Sequence, residues 1–145
     1  MKKVFLLIVT LSWMIIIFMF SNQKSVKSTD YSHSLTKSTI INIYKIFDNN
    51  SSREKLESIV EAWDHPIRKL AHFTEYFILG VLIFSTLKAY GIKDIYIMIL
   101  LCFLYAISDE IHQLFILGRD GNFKDVLIDT FGSSCGIFLL KRMKK

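Results

Sequence analysis

Ionisable side chains are concentrated between residues 105 and 129, a stretch with long apolar runs on both sides. A charged group near the centre of a membrane-spanning helix costs about 2.5–3.5 kcal/mol, so such groups are retained for function or for pairing. The stretch is therefore the first place to expect chemistry. It carries Asp109, Glu110, His112, Gln113, Arg119, Asp120, Asp125 and Asp129.

A second polar group lies at the start of an earlier apolar segment. Arg68, His72 and Glu75 are spaced i, i+4, i+7, which puts them on one face of a helix. Ser21 and Gln23 follow the first apolar run and complete the set.

One hypothesis for these residues is catalysis. A histidine positioned by a carboxylate would act as general base on a phosphate- or glycosyl-linked lipid that arginines hold. No Gly-x-Ser-x-Gly or other nucleophile motif accompanies them. The candidate catalytic residues are His72, Glu75, Asp109, Glu110, His112, Asp125 and Asp129, and the candidate substrate-binding residues are Ser21, Gln23, Arg68, Gln113 and Arg119.

A metal-assisted version of that site stays open. His72 with Glu75, and Asp109 with His112, form i, i+3 pairs like those of metal sites in helix bundles. No HExxH or paired Glu-x-x-His signature is present, and the sequence does not identify the metal. No organic cofactor motif is found either.

Two alternatives involve no reaction. The charges could form a hydrogen-bonded network around a pocket that holds or shields an amphiphile. The chain could also be an accessory protein that docks onto an envelope enzyme or transporter. Gly132 and Gly136 could then mediate a contact between chains, although contact within one bundle is favoured.

The elements that must position these residues are membrane helices. The chain has 145 residues, is 52% hydrophobic and has a mean hydropathy of +0.38. Its apolar residues form blocks instead of amphipathic stripes. This pattern predicts a single-domain, all-α bundle of four transmembrane helices. The predicted spans are residues about 4–20, 67–87, 95–116 and 123–140, with an amphipathic helical outer loop over 21–66.

That outer loop is expected to end before the second span. Ser51 and Glu54 have the spacing of a capping box and would open a short helix ending near Trp63. Asp64 and Pro66 then predict a fresh helix start, with the proline in the first turn.

Basic residues predict the orientation. Lys2, Lys3, Lys88, Lys93 and the basic C-terminal tail share one side of a four-span arrangement. They indicate a multi-pass cell-membrane protein with both termini in the cytoplasm and the polar residues at the extracytoplasmic leaflet. The net charge of +5 follows from these topology signals, so no nucleic-acid partner is expected. The expected partner is a membrane lipid or a lipid-linked cell-wall intermediate.

Three sequence blocks resemble the VanZ-like family of small bacterial membrane proteins. They are FSNQKS at residues 20–25, RKLAHFTEYFILG at 68–80 and SDEIHQLFILGRDGNFKDVLIDTFG at 108–132. The resemblance covers nearly the whole chain except the first loop. It implies a cell-envelope protein, mainly of Gram-positive bacteria, with a role in resistance to the glycopeptide teicoplanin. The positions that match the family pattern are Ser21, Gln23, Arg68, Lys69, His72, Glu75, Asp109, Glu110, His112, Gln113, Arg119, Asp125, Asp129 and Gly132.

Overall fold

The computed structural model describes residues 1–22, 53–116 and 121–143. This part of the chain contains helices and no strand. The helices are α1 (Lys2–Ser21), α2 (Arg53–Ala89), α3 (Ile95–Gln113) and α4 (Phe123–Met143). The prediction of an all-α membrane bundle is confirmed. The expected amphipathic helix before residue 51 lies outside the described residues, as do Gln23 and Arg119.

Three helical segments in the described ranges are long and apolar enough to cross a membrane. They are Lys2–Ser21, Pro66–Ala89 and Ile95–Gln113, with mean hydropathies of 2.6, 1.6 and 1.6. α4 is not among them, since Lys124, Asp125, Asp129 and several small residues lower its hydropathy.

α4 nevertheless has an apolar outer face. Phe123, Leu127, Phe131 and Phe138 share that face, and their side chains are between 50% and 65% exposed. The opposite face is small and polar and points into the bundle; it carries Asp129, Gly132, Ser133 and Gly136. This is the reverse of an amphipathic helix in a water-soluble protein, where the outer face is the polar one.

α2 is continuous where the sequence predicted a fresh start. The helix runs from Arg53 to Ala89 with Pro66 inside it, so the predicted span 67–87 is its C-terminal part. A proline within a helix removes one backbone hydrogen bond. The turns after Pro66 are held by packing against the other helices, and the helix persists on both sides of the proline.

The turn from α2 to α3 is tight. Gly91 has a φ of 93°, a conformation that favours glycine, and Ile92 N–H donates to the Leu87 carbonyl at 2.9 Å. Asp94 then caps α3, because its Oδ1 accepts from Tyr96 N–H at 2.8 Å. The two helices therefore run antiparallel.

The interior has two apolar layers. The first contains Ile17, Tyr76, Leu79, Ala106 and Val126 and lies towards the polar residues. The second lies towards the end of the bundle that carries Lys88 and Lys141, and consists of Phe84, Met98, Cys102 and Ile137. α2, α3 and α4 pack against one another, whereas α1 lies against α2 and, less extensively, α3.

Glycines let α2 and α4 approach closely. A Cβ atom added at Gly132 would lie 2.5 Å from the Phe73 carbonyl oxygen, and one at Gly136 would overlap the Phe77 carbonyl oxygen. On α2, a Cβ atom at Gly80 would overlap the backbone of Ser133. Gly132 and Gly136 thus serve a contact within the bundle, as the sequence favoured.

α1 is attached to α2 by buried hydroxyl groups. The Oγ1 atoms of Thr10 and Thr86 are 2.8 Å apart, and Thr86 Oγ1 also donates to the Leu6 carbonyl at 3.2 Å. Towards the other end of α1, Trp13 Nε1 donates to the Glu75 carbonyl at 3.0 Å. These contacts make α1 antiparallel to α2.

Replacing Thr10 and Thr86 by valine is expected to lower stability modestly. Hydrogen bonds between membrane helices contribute about 0.6 kcal/mol on average and about 1.7 at most, so the double variant should lose an amount in that range. Thermal unfolding in detergent measures it. Thr74→Val is the matched control, because the exposed Thr74 hydroxyl bonds within its own helix. An equal loss in the control would contradict an interhelical role.

Candidate functional site

All four helices bring polar side chains to the same end of the bundle. This end holds the last residues of α1 and α3 and the early turns of α4, together with the turns of α2 that follow Pro66. The Asp129 carboxylate is electrostatically coupled to Glu110, Asp109, Asp125 and Glu75. We call these residues the acidic cluster; its members are Glu75, Asp109, Glu110, Asp125 and Asp129. The cluster thus combines carboxylates from α2, α3 and α4.

Asp129 is the innermost member of the cluster. Its side chain is 0% exposed, and neither of its carboxylate oxygens has a hydrogen-bond partner among the described residues. Ser133, one turn further along α4, is also fully buried. A buried carboxylate without partners is unusual, because the great majority of buried polar atoms in native proteins are hydrogen-bonded.

Of the two acids of α3, Glu110 is hydrogen-bonded to the connection that leads into α4. Asp109 and Glu110 are buried, and Gln113 Nε2 donates to Asp109 Oδ2 at 3.3 Å. Glu110 Oε2 accepts from Asn122 N–H at 2.8 Å, immediately before α4 begins. Glu110 therefore fixes the first turn of α4 relative to α3.

Tyr76 belongs to this site, although the sequence did not single it out. Its side chain is 0% exposed, and its hydroxyl oxygen has no hydrogen-bond partner among the described residues. The hydroxyl is electrostatically coupled to Asp109, Asp129 and Glu110. The spacing of four residues from His72 is the signal that could have found it, since it puts both on one face of α2.

The two histidines of the predicted site occupy different surroundings. The His112 ring is stacked on Phe18 of α1, with ring centroids 4.4 Å apart, and its Nε2 atom is buried with no hydrogen-bond partner in the described part of the chain. His72 is half-buried on α2, one turn before Tyr76. Ser21, at the end of α1, is buried.

An ion pair marks the outer edge of the acidic cluster. Lys69 Nζ lies 3.6 Å from Asp125 Oδ1, and the two side chains are 35% and 32% exposed. Arg68 is half-buried on the same turn of α2. Positive charges therefore lie at the edge of the site and carboxylates in its interior. Lys69 is one of the positions that match the family pattern, and the charge pattern alone did not predict its role.

Lys69→Met is expected to have little effect on stability. Ion pairs that remain partly exposed contribute about 0–1 kcal/mol, because solvent and salt screen them. Thermal unfolding at low and high salt measures the contribution, which should shrink as salt rises. Lys124→Met on the exposed start of α4 is the matched control. A loss far above that of the control, unchanged by salt, would show that Lys69 neutralises a buried charge.

The proposed metal ligands are not gathered round one point in the described ranges. No group of three or more His, Cys, Asp or Glu side chains there is placed to hold a metal ion. This arrangement adds no support to the metal-site hypothesis for His72, Glu75, Asp109 and His112.

The arrangement favours a positively charged ligand group or protons over an anion. A phosphate would meet several carboxylates in an interior of low polarity, where like charges repel strongly. Two arginines were expected to contact phosphate. Arg68 lies at the edge of the site, and Arg119 lies outside the described residues.

Comparison with protein-family models identifies a family. A family model described as VanZ/LLP1 matches residues 5–144, which include all of the acidic cluster and nearly all of the described residues. No match was found among curated proteins or among solved structures.

Proposed function

The chain belongs to the VanZ/LLP1 family, and from this premise we propose that it is a cell-envelope protein whose acidic cluster binds a lipid-linked envelope component. Through this binding, the protein would protect the cell against teicoplanin-type glycopeptide and lipoglycopeptide antibiotics. The polar end of the bundle is the ligand site, and the apolar outer surface of the helices faces lipid.

The lipid-facing residues support four spans and an extracytoplasmic site. The apolar outer face of α4 suits contact with acyl chains, so α4 joins the three more apolar segments in the bilayer. The lysines at the start of α1 and after α2 lie at the end of the bundle opposite the acidic cluster. Positive residues favour the cytoplasmic side, which puts the cluster at the outer leaflet.

Single-cysteine labelling tests this orientation. In a chain with Cys102→Ala and Cys135→Ala, Phe115→Cys is expected to react with a membrane-impermeant maleimide in intact cells, because Phe115 is exposed at the cluster end. Lys93→Cys, in the turn at the opposite end, should react only after lysis. The reverse pattern would overturn the orientation.

The observation that carries the proposed function is the buried Asp129 carboxylate. Packing of helices in lipid needs small residues and paired polar groups, and it gives no reason to retain an unpartnered carboxylate. Local departures from good packing and polar pairing are expected where function requires them. The Asp129 carboxylate departs from the rule that buried polar groups are paired, and the residues around it are polar too.

A susceptibility assay tests the function. The full chain is expressed in a susceptible Gram-positive host, and the teicoplanin concentration that stops growth is compared with that of an empty vector. The wild type is expected to raise this concentration, and Asp129→Asn to abolish the increase. Asp94→Asn is the matched control, because asparagine also caps α3 well and Asp94 is remote from the cluster.

Two outcomes would contradict the proposal. If the wild type is present in the membrane and leaves susceptibility unchanged, the protective role is wrong. If Asp129→Asn protects as well as the wild type, the acidic cluster is not the site of that role. Immunoblotting of membrane fractions checks that the variants accumulate equally.

A further inference from the structure

We propose that the group bound at the acidic cluster is a primary ammonium carried by a lipid-anchored molecule, and that it binds between Asp129 and Tyr76. This inference rests on the proposed function, since it takes the cluster to be a ligand site and names the chemical group that the site recognises.

The sign of the charge follows from the residues around Asp129. Asp109, Glu110, Asp125 and Glu75 all act electrostatically on its carboxylate. A cation placed beside Asp129 is attracted by these carboxylates, and an anion is repelled by them. The neighbouring acids therefore favour a cation over an anion beside Asp129.

The number of free acceptors indicates a primary ammonium. Asp129 Oδ1, Asp129 Oδ2 and the Tyr76 hydroxyl oxygen are buried and lack hydrogen-bond partners among the described residues. A primary ammonium carries three N–H donors and no acceptor. It therefore carries one donor for each of these three atoms, whereas a quaternary ammonium has no N–H group to offer any of them.

Aromatic rings border the same place. The rings of Tyr76 and Tyr105 are 6.1 Å apart, and the Tyr105 hydroxyl donates to the Met14 carbonyl at 2.6 Å. That hydrogen bond fixes the Tyr105 ring between α1 and α3. A tyrosine face attracts a nearby cation, more strongly where water is excluded.

The protein already holds one primary ammonium at this cluster. Lys69 Nζ pairs with Asp125 at the partly exposed edge. Asp129 lies one helical turn further along α4, which places it deeper in the bundle. Asp129 is a carboxylate like Asp125. No lysine or arginine among the described residues pairs with Asp129, however.

Two kinds of lipid-anchored molecule carry such a group. One is a phospholipid with an ethanolamine headgroup, and the other is a polyprenyl-linked cell-wall precursor with a free side-chain amine. Both present an ammonium close to the membrane surface, and both carry phosphate that Lys69 or Arg68 could meet at the edge of the site. The chemistry is shared, so the experiment must separate the sources.

The test is lipid binding to the purified full chain in detergent, measured by native mass spectrometry. The probes are phosphatidylethanolamine, its N-acetyl derivative and phosphatidylcholine, together with a lysine-containing polyprenyl-linked precursor and its N-acetylated form. At least one amine-bearing probe is expected to bind about tenfold or more tightly than its N-acetylated form. The probe that shows this preference identifies the source.

The variants place the binding in the cluster. Asp129→Asn is expected to remove the preference for the amine, and Asp94→Asn to keep it. Tyr76→Phe should weaken binding of the amine while leaving the ring in place. Thermal unfolding of each variant in detergent confirms that it is folded.

The outcomes separate this inference from the proposed function. If N-acetylated and amine-bearing probes bind equally and Asp129→Asn weakens both, the cluster is a lipid site and the ammonium assignment is wrong. If no probe binds, or Asp129→Asn keeps the preference, the assignment is also wrong. In each case the susceptibility assay decides the protective role independently.

Discussion

Replacing Asp129 by leucine is expected to leave the protein at least as stable as the wild type while abolishing its protective activity. The side chain is fully buried and has no hydrogen-bond partner among the described residues, so its removal leaves no described donor unsatisfied. It also removes a carboxylate from the neighbourhood of Glu110 and Asp109. Apolar replacement of buried charged groups often stabilises a protein by about 1–4 kcal/mol.

The opposite result is expected if Asp129 only holds the helices together. Removing one partner of a buried ion pair costs about 3–5 kcal/mol, because the other partner is left charged and unpaired. Thermal unfolding in detergent, combined with the susceptibility assay, distinguishes the two cases. Asp125→Leu, one turn earlier on α4, serves as the stability control. Its pair with Lys69 is partly exposed, so the change should be within about 1 kcal/mol.

Substitution of the glycines between α2 and α4 is expected to cause the largest loss of stability. In Gly136→Ala the new methyl group would overlap the Phe77 carbonyl oxygen and lie 3.1 Å from Val81 N. These are backbone atoms of a packed helix, so the clash is relieved only if the two helices separate. Overpacking costs about 1–3 kcal/mol and sometimes more. Gly132→Ala should behave in the same way.

The sign of the stability change in Gly136→Ala distinguishes a steric clash from an effect of helix propensity. Within an isolated helix, alanine is favoured over glycine by about 1 kcal/mol, so a loss of stability cannot come from helix propensity. Ala71→Leu adds more bulk on the exposed side of α2 and is expected to be tolerated. Thermal unfolding and size-exclusion profiles in detergent measure both variants. A Gly136→Ala protein as stable as the wild type would contradict the close crossing.

Much of the fold was predictable because lipid imposes a simple pattern. The apolar blocks located the helices, and the boundaries of α1 and α4 lie close to those predicted. Gly132 and Gly136 indicated a close helix contact. Their partner Gly80 was not recognised, since a lone glycine in an apolar helix has no spacing pattern.

The continuity of α2 was not predictable from local signals. Asp64 and Pro66 are residue types typical of a helix start. Sequence alone does not show that packing of the later turns keeps the helix continuous across Pro66. By contrast, the turn at Gly91 and the cap at Asp94 depend on neighbouring residues alone.

For the site, the charge pattern predicted that polar residues lie at one end of the bundle. It did not predict which side chains of different helices contact one another. Asp109 and Glu110 act electrostatically on Asp129, an effect that depends on how α3 and α4 pack. Tyr76 was missed because a tyrosine within an apolar run resembles core packing. Similarly, nothing in the spacing of His112 predicts its stack on Phe18, which depends on where α1 lies.

The order of the helices has a consequence for biosynthesis. α4 supplies the small, polar face that covers the acids of α3, and Asn122 at its start donates to Glu110. The ribosome releases α3 first, so Asp109 and Glu110 reach the membrane before the helix that shelters them. α3 is therefore expected to stay beside the insertion machinery until α4 emerges. A chain that ends at residue 116 and is released from the ribosome would lack the helix that covers these two carboxylates.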